Sequence, residues 1–139
     1  MISGFPAVAP GGLLLGLGID VTEAARIRKL LGHLPRAYGR LFSEQERAYC
    51  DRFSDPWSHY AARFAAKEAV GKALGIGIIG FVWRDIEVLS GGKPLIALHG
   101  DVAGIARRLG VTRVEVTLSH TGGMAYAVAA ALKEEEAHG

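Results

Sequence analysis

Leu13–Val21 is an almost unbroken apolar run, bounded by glycine and closing on Asp20, and it predicts a buried strand. The period then becomes helical. Ala24, Ile27, Leu30 and Leu31 recur at helix spacing behind Thr22 as N-cap, with Arg26, Arg28 and Lys29 on the other faces and the helix ending near Leu31. Ser43-Glu44-Gln45-Glu46 is a capping-box pattern that opens a short helix to about Cys50. Asp55-Pro56 starts the next helix, which runs to about Leu74, stops at Gly75 and presents Tyr60, Phe64 and Val70 to a core. Beyond the glycine-rich stretch Gly75–Gly80 the period falls to two. Asp85–Leu89 and Pro94–Leu98 flank "SGGK" as a hairpin. Asp101 caps a helix to Leu109, with Gly110 as its stop. Arg113–Ser119 alternates as a strand. Met124–Leu132 alternates Tyr126 and Val128 with alanine and is assigned as a final strand paired with its predecessor, an alanine-rich helix being the competing assignment.

The sum is α+β: one domain over residues 13–139, with an antiparallel sheet and packed helices. Residues 1–12, with Pro6, Pro10 and a glycine pair, form a loose N-terminal extension. At 139 residues and 50% hydrophobic, the chain can build a real core, and with 8% aromatics that core rests on Val, Leu, Ile and Ala. The net charge of +2 is too small to point to nucleic acid. One cysteine, Cys50, leaves no internal disulfide and fits a reducing cytoplasm; flanked by Asp51 and Arg52, it is expected to be structural. The apolar N-terminus lacks the cationic segment of a signal peptide, and Met124–Leu132 is too short to span a membrane, so a soluble, cytoplasmic protein is expected.

The chemistry concentrates in "RFAAKEAVGKALGIG", Arg63 to Gly77. Glu68 and Lys72 stand at i,i+4 in the favourable order, which is by itself an ordinary surface pair. The neighbours of Glu68 are apolar, however, and Gly71 weakens the helix, which suggests a close approach there. Asp20 ends an apolar strand and could equally be a charge at the N-terminus of the helix that follows. Two carboxylates on rigid elements suit Mg²⁺, which is held by one or two carboxylates plus phosphates and water. No thiolate or histidine cluster has zinc spacing. Arg63, Lys67 and Lys72, with Arg26, could be a solvated strip or phosphate donors beside that metal. His120 and Thr121 sit at a strand end before Gly122-Gly123 and could bind phosphate or be structural. There is no nucleophile elbow, P-loop or dinucleotide fingerprint.

"GLGIDVTEAARI", "RFAAKEAVGKALGIG", "WRDIEVL…GKP" and "LSHTGGMAYAVA" in this order resemble holo-acyl-carrier-protein synthase, the short bacterial type of 4′-phosphopantetheinyl transferase. The resemblance covers roughly residues 13–132. It implies a homotrimer with active sites between subunits, and transfer of the phosphopantetheine arm of coenzyme A to a serine of apo-acyl carrier protein. Mg²⁺ would be the cofactor and adenosine 3′,5′-bisphosphate the by-product. It implies Asp20 and Glu68 as metal ligands and Lys72 at the pyrophosphate. Arg63, Lys67, Gly75, His120 and Thr121 would lie at the nucleotide, with Arg63, His120 and Thr121 facing its 3′-phosphate, and Arg26 at the acidic carrier. The acceptor serine would lose its proton to a metal-bound water or to Glu68. Near Ser43 a basic residue common in the family is missing, with Arg40 or Arg47 as substitutes. Without the resemblance, a Mg²⁺-dependent nucleotide hydrolase and a non-enzymatic binding module remain open.

Overall fold

The computed structural model describes residues 12–77 and 82–135. The elements are β1 (Leu13–Glu23), α1 (Ala24–His33), α2 (Ala37–Leu41), α3 (Glu44–Cys50), α4 (Trp57–Ala73), β2 (Ile86–Leu89), β3 (Leu95–Leu98), α5 (Gly100–Leu109), β4 (Arg113–Thr121) and β5 (Met124–Lys133), with one 3₁₀ turn at Trp83–Asp85. The expected α+β domain is present, and Met124–Lys133 is a strand. An antiparallel three-stranded sheet has the order β1-β5-β4, and β2 pairs with β3 as the expected hairpin. The expected N-terminal extension, residues 1–12, lies outside the described residues except for Gly12, as does part of Gly75–Gly80.

Helix α4 is the spine. Its C-terminal half packs Ala65, Ala66, Ala69 and Val70 against β5, whose Ala127, Ala129 and Ala131 are buried. Its N-terminal half packs Tyr60, Ala61 and Phe64 with Ile27 and Leu31 of α1 and with Phe42 and Cys50. Small residues on both surfaces let helix and sheet come close. The closest approach lies at Gly16 and Gly18 of β1, where an added Cβ would stand 1.9 Å from the carbonyl oxygens of Ala73 and Ala69. The close contact inferred from Gly71 is therefore made by glycines on the opposing strand. At the far end Gly75 is left-handed (φ 71°), and Ile76 N–H donates to the Gly71 carbonyl, closing the helix as its sequence predicts.

Three local expectations change. Thr22 caps nothing: it belongs to β1, and its hydroxyl donates to Asp20 Oδ2 at 2.8 Å. The N-cap of α1 is Glu23, and that of α5 is His99 rather than Asp101, neither with a side-chain cap bond. Strand β1 is buried on one face only: Gly18, Asp20 and Thr22 face α4, while Leu17 and Ile19 are 62% and 61% exposed. An apolar run reads as fully buried because hydropathy cannot show that the second face lacks a cover within the chain. Tyr126 and Val128, register partners of Val21 and Ile19, continue this bare face.

The capping box at Ser43 is present and does more than end a helix. Glu46 Oε1 accepts from Ser43 N–H and from Lys67 Nζ, both at 2.8 Å, and Oε2 accepts from Val88 N–H at 3.0 Å. Lys67 also donates to the carbonyls of Trp83 and Ile86, so all three of its N–H groups are used, and both side chains of the ion pair are fully buried. Removing one partner strands the other in the core. Lys67→Met should cost about 3–5 kcal/mol in denaturant unfolding. A cost under about 1 kcal/mol would mean that the pair is not sealed from water. The Cys50 thiol is buried and pushed up to about 12, chiefly by that burial, as a structural cysteine requires.

Candidate active site

Strand alternation puts Asp20 two residues from Gly18 on the face against α4, so the glycine contact that seats the helix also positions this carboxylate. Glu68, one residue before Ala69 on α4, comes beside it. Burial, then a hydrogen bond with Asp20 and the charge of Asp20, push the Glu68 carboxyl up to about 7, while Lys72 and Arg26 pull it the other way. Lys72 Nζ donates to the Ile19 carbonyl at 2.9 Å and stands 3.4 Å from Asp20 Oδ1, with its side chain 48% exposed. Arg26 is exposed on α1. Asp20, Glu68, Lys72 and Arg26 thus form one group at the β1 edge of the sheet. Glu68 and Lys72 are therefore more than an ordinary i,i+4 surface pair: they belong to a group of four titratable side chains in which Lys72 leans on Asp20.

Among the described residues no third His, Cys, Asp or Glu joins the two carboxylates. Their own chemistry fits a hard divalent cation. Two oxygen ligands share too little positive charge, so one of them holds a proton near neutrality, in a place a cation can take. Such a pair leaves the remaining coordination positions to water and to a ligand's oxygens.

A second group gathers where α3, α4 and β4 meet. The buried Arg63 donates from Nη2 to Ser90 Oγ at 2.7 Å, with its guanidinium 4.2 Å from the centroid of the Tyr49 ring. His59 stacks on Phe53 with centroids 3.6 Å apart, and His120 meets His59 edge-on at 5.6 Å. Thr121 follows His120 but points to the opposite sheet face by alternation, at the Gly122-Gly123 turn where both residues have positive φ.

The structure therefore divides the predicted residues. Asp20, Glu68, Lys72 and Arg26 stand together at β1; Arg63 and His120 stand together toward β4, the opposite edge of the same sheet. Lys67 joins neither, because its ammonium has no donor left for a ligand; the expectation of a nucleotide contact there is corrected. Its place on a buried helix side is invisible to spacing alone. Gly75 is exposed at the end of α4, one turn past Lys72. Sequence reasoning missed Thr22, which steadies Asp20, and the Tyr49–Phe53–His59 ring cluster around Arg63; the i,i+4 spacing of Tyr49 and Phe53 was its only signal. Two clefts of about 520 and 470 Å³ lie elsewhere, one lined by Ser43, Arg47, Arg84 and His99, the other by Leu95, Leu98 and Val114. Neither includes a carboxylate of the β1 group, which lies on an open edge.

Residues 16–131 match the family described as the 4′-phosphopantetheinyl transferase superfamily. The chain is similar to a holo-acyl-carrier-protein synthase of Anaeromyxobacter dehalogenans, 51% identical over 120 residues, which cover 83% of this chain and 93% of the relative. Its fold is similar to the crystal structure of the Helicobacter pylori holo-acyl-carrier-protein synthase in complex with coenzyme A (TM-score 0.72, 31% identity, covering 83% of this chain and 98% of the other). It is also similar to that of the Bacillus anthracis enzyme in complex with coenzyme A (3′,5′-ADP), with TM-score 0.70 and 31% identity, covering 87% of this chain and 98% of the other. With the two carboxylates, the lysine and the strand–helix frame that holds them in place, the chain belongs to the 4′-phosphopantetheinyl transferase superfamily.

Proposed function

We propose that this chain transfers the 4′-phosphopantetheine group of coenzyme A to a serine of apo-acyl carrier protein. The observation that carries this reading is the Asp20–Glu68 carboxylate pair with Lys72 beside it, on a family frame whose relatives are named for this reaction and bind coenzyme A. The serine oxygen forms a bond to the phosphorus that bears pantetheine. The bond from that phosphorus to the bridging oxygen breaks, and adenosine 3′,5′-bisphosphate leaves. Such a transfer depends on positioning and charge, which agrees with the lack of a nucleophile motif.

Mg²⁺ would be held by Asp20 and Glu68 and would supply neutralisation of the pyrophosphate charge. Lys72, anchored by the Ile19 carbonyl, reaches outward to the leaving phosphate and stabilises or protonates it. Thr22 fixes the orientation of Asp20. Glu68 loses its own proton on taking up a cation and is then a weak base, so the serine proton passes to water. Arg26, exposed beside this group, offers a cation to an acidic carrier protein.

The two residue groups serve one substrate if chains associate in a ring. A three-fold ring with the bare β1–β5 face inward brings the β1 edge of one copy beside the β4 edge of the next. Arg63 and His120 of one copy then take the nucleotide end while Asp20, Glu68 and Lys72 of its neighbour take the pyrophosphate; Thr121, on the other face of β4, is not part of that group. The bare apolar face and the division of the site support a homotrimer together. No described helix is long and apolar enough to cross a membrane, in keeping with a cytoplasmic location.

The direct test incubates the protein with coenzyme A, Mg²⁺ and apo carrier and weighs the carrier. A gain of one phosphopantetheine is expected. Nucleotide hydrolysis with unmodified carrier would favour a hydrolase instead.

The raised Glu68 carboxyl adds a thermodynamic signature. A carboxyl lifted from about 4.5 to about 7 in the folded state contributes stability that is complete below 4.5 and lost as pH rises through 7. The metal-free protein should therefore lose this contribution between pH 5 and 8, and Mg²⁺ should raise the melting temperature much more at pH 8 than at pH 5.5. Equal Mg²⁺ shifts at both values would remove Glu68 from the metal site.

A further inference from the structure

The second group holds positive charge with no anion in it. Arg63 is 5% exposed, its Nε has no hydrogen-bond partner, and its one described hydrogen bond goes to the neutral Ser90 hydroxyl. No described carboxylate lies within ion-pair distance of it. The Tyr49 ring compensates part of the charge and leaves the rest. A buried cation without a counter-charge is strongly unfavourable, so the missing anion is expected from a ligand.

His59 stands one turn before Arg63 on α4, and neither its imidazole nor that of His120 makes a described hydrogen bond. Arg63 from the same helix, His120 from β4 and Asp55 from the turn before α4 are the charged or titratable groups that act on His59; Tyr49 and Phe53 bring ring contacts. Burial, then Arg63, then His120 hold the His59 imidazole below its ordinary range, and only Asp55 opposes them. These influences favour the neutral form of the His59 imidazole. A dianion brought beside Arg63 reverses this balance.

We propose that His59 is a further phosphate-positioning residue, which with Arg63 and His120 receives a dianionic phosphate monoester of the nucleotide substrate and takes up a proton as that group arrives. This rests on coenzyme A as the substrate and deepens that reading. Coenzyme A carries one phosphate monoester, on its ribose; the pyrophosphate belongs to the β1 group. The monoester is a dianion near neutral pH and matches a site that supplies the fixed charge of Arg63 and a charge that His59 gains with a proton. His59 would then make the enzyme prefer coenzyme A to its dephospho form, increasingly so as pH falls from 8 to 6.

The test compares the wild type with His59→Phe, which keeps the ring stack on Phe53. Calorimetric titration of coenzyme A and of dephospho-coenzyme A with Mg²⁺, in two buffers of different ionisation heat, needs neither carrier nor turnover. The wild type should bind coenzyme A with net proton uptake that is absent for the dephospho form. His59→Phe should lose much of that uptake, and its preference for coenzyme A should fall about tenfold, the scale of one charged hydrogen bond. The ratio of the two ligands cancels pH effects they share, including that of Glu68. A variant with wild-type proton uptake and an unchanged preference overturns the proposal, as does a wild type that binds both ligands equally. Failure to modify a carrier would sink the transferase reading while leaving these binding results to decide on His59.

Discussion

Glu68→Gln and Asp20→Asn should each lower phosphopantetheine transfer by about a thousandfold, roughly 4 kcal/mol of transition-state stabilisation. With the two carboxylates acting as the one ligand set proposed, Asp20→Asn/Glu68→Gln together should cost little more than either alone. Both substitutions conserve volume, and Glu68→Gln removes a carboxyl that burial and Asp20 already disfavour as an anion. Glu68→Gln should therefore be at least as stable as the wild type without Mg²⁺ above pH 7, and should lose the Mg²⁺-induced rise in melting temperature. Normal turnover with an unaltered Mg²⁺ requirement would place the metal elsewhere. A loss of activity explained by unfolding would separate this role from the chemistry, and thermal melts of the same samples decide that point.

Gly18→Ala is the second large effect, and it acts through backbone contact. The added methyl would meet the Ala69 carbonyl oxygen at 1.9 Å and the Ala73 nitrogen at 2.9 Å. Neither is a side chain that can swing aside, so β1 and α4 must separate. We expect a loss of about 3 kcal/mol or more, a fall in melting temperature on the order of 10 °C. Because Asp20 follows two residues later and Glu68 precedes Ala69, the separation also spreads the carboxylates. Residual folded protein should therefore show a weakened response to Mg²⁺. Wild-type stability in Gly18→Ala would mean that the helix does not seat on β1 as described.

Much of this arrangement was legible in the chain. Asp20 and Glu68 stand out because each is a lone carboxylate among apolar residues, and Ser43–Glu46 because a capping box is a purely local signal. The strand at Met124–Lys133 was legible from alternation despite its alanines, since Tyr126 and Val128 hold the period. What stayed hidden is what spacing along one helix cannot encode. Arg63, Lys67 and Lys72 read as a single cationic strip, yet α4 is buried almost all round, so one becomes a core ion pair, one an uncompensated cation and one an exposed arm. The role of Thr22 was masked because hydroxyl residues before a helix also serve as caps, and here the strand extends through it. Leu17 and Ile19 read as core because an apolar face left uncovered within the chain has the same composition as one already covered.

The division of the site between opposite sheet edges gives the sharpest test, a complementation. Glu68→Gln damages only the β1 group and Arg63→Met only the β4 group, so each alone should be nearly inactive. Co-expressed in equal amounts, they should form the proposed rings, in which about a quarter of the interfaces would pair an intact β1 group with an intact β4 group from the next chain. Carrier modification should then recover to about a quarter of the wild-type rate per site. Activity that stays at the level of the separate variants, with mixed trimers verified by mass, would show that each chain carries a whole site and would contradict this account.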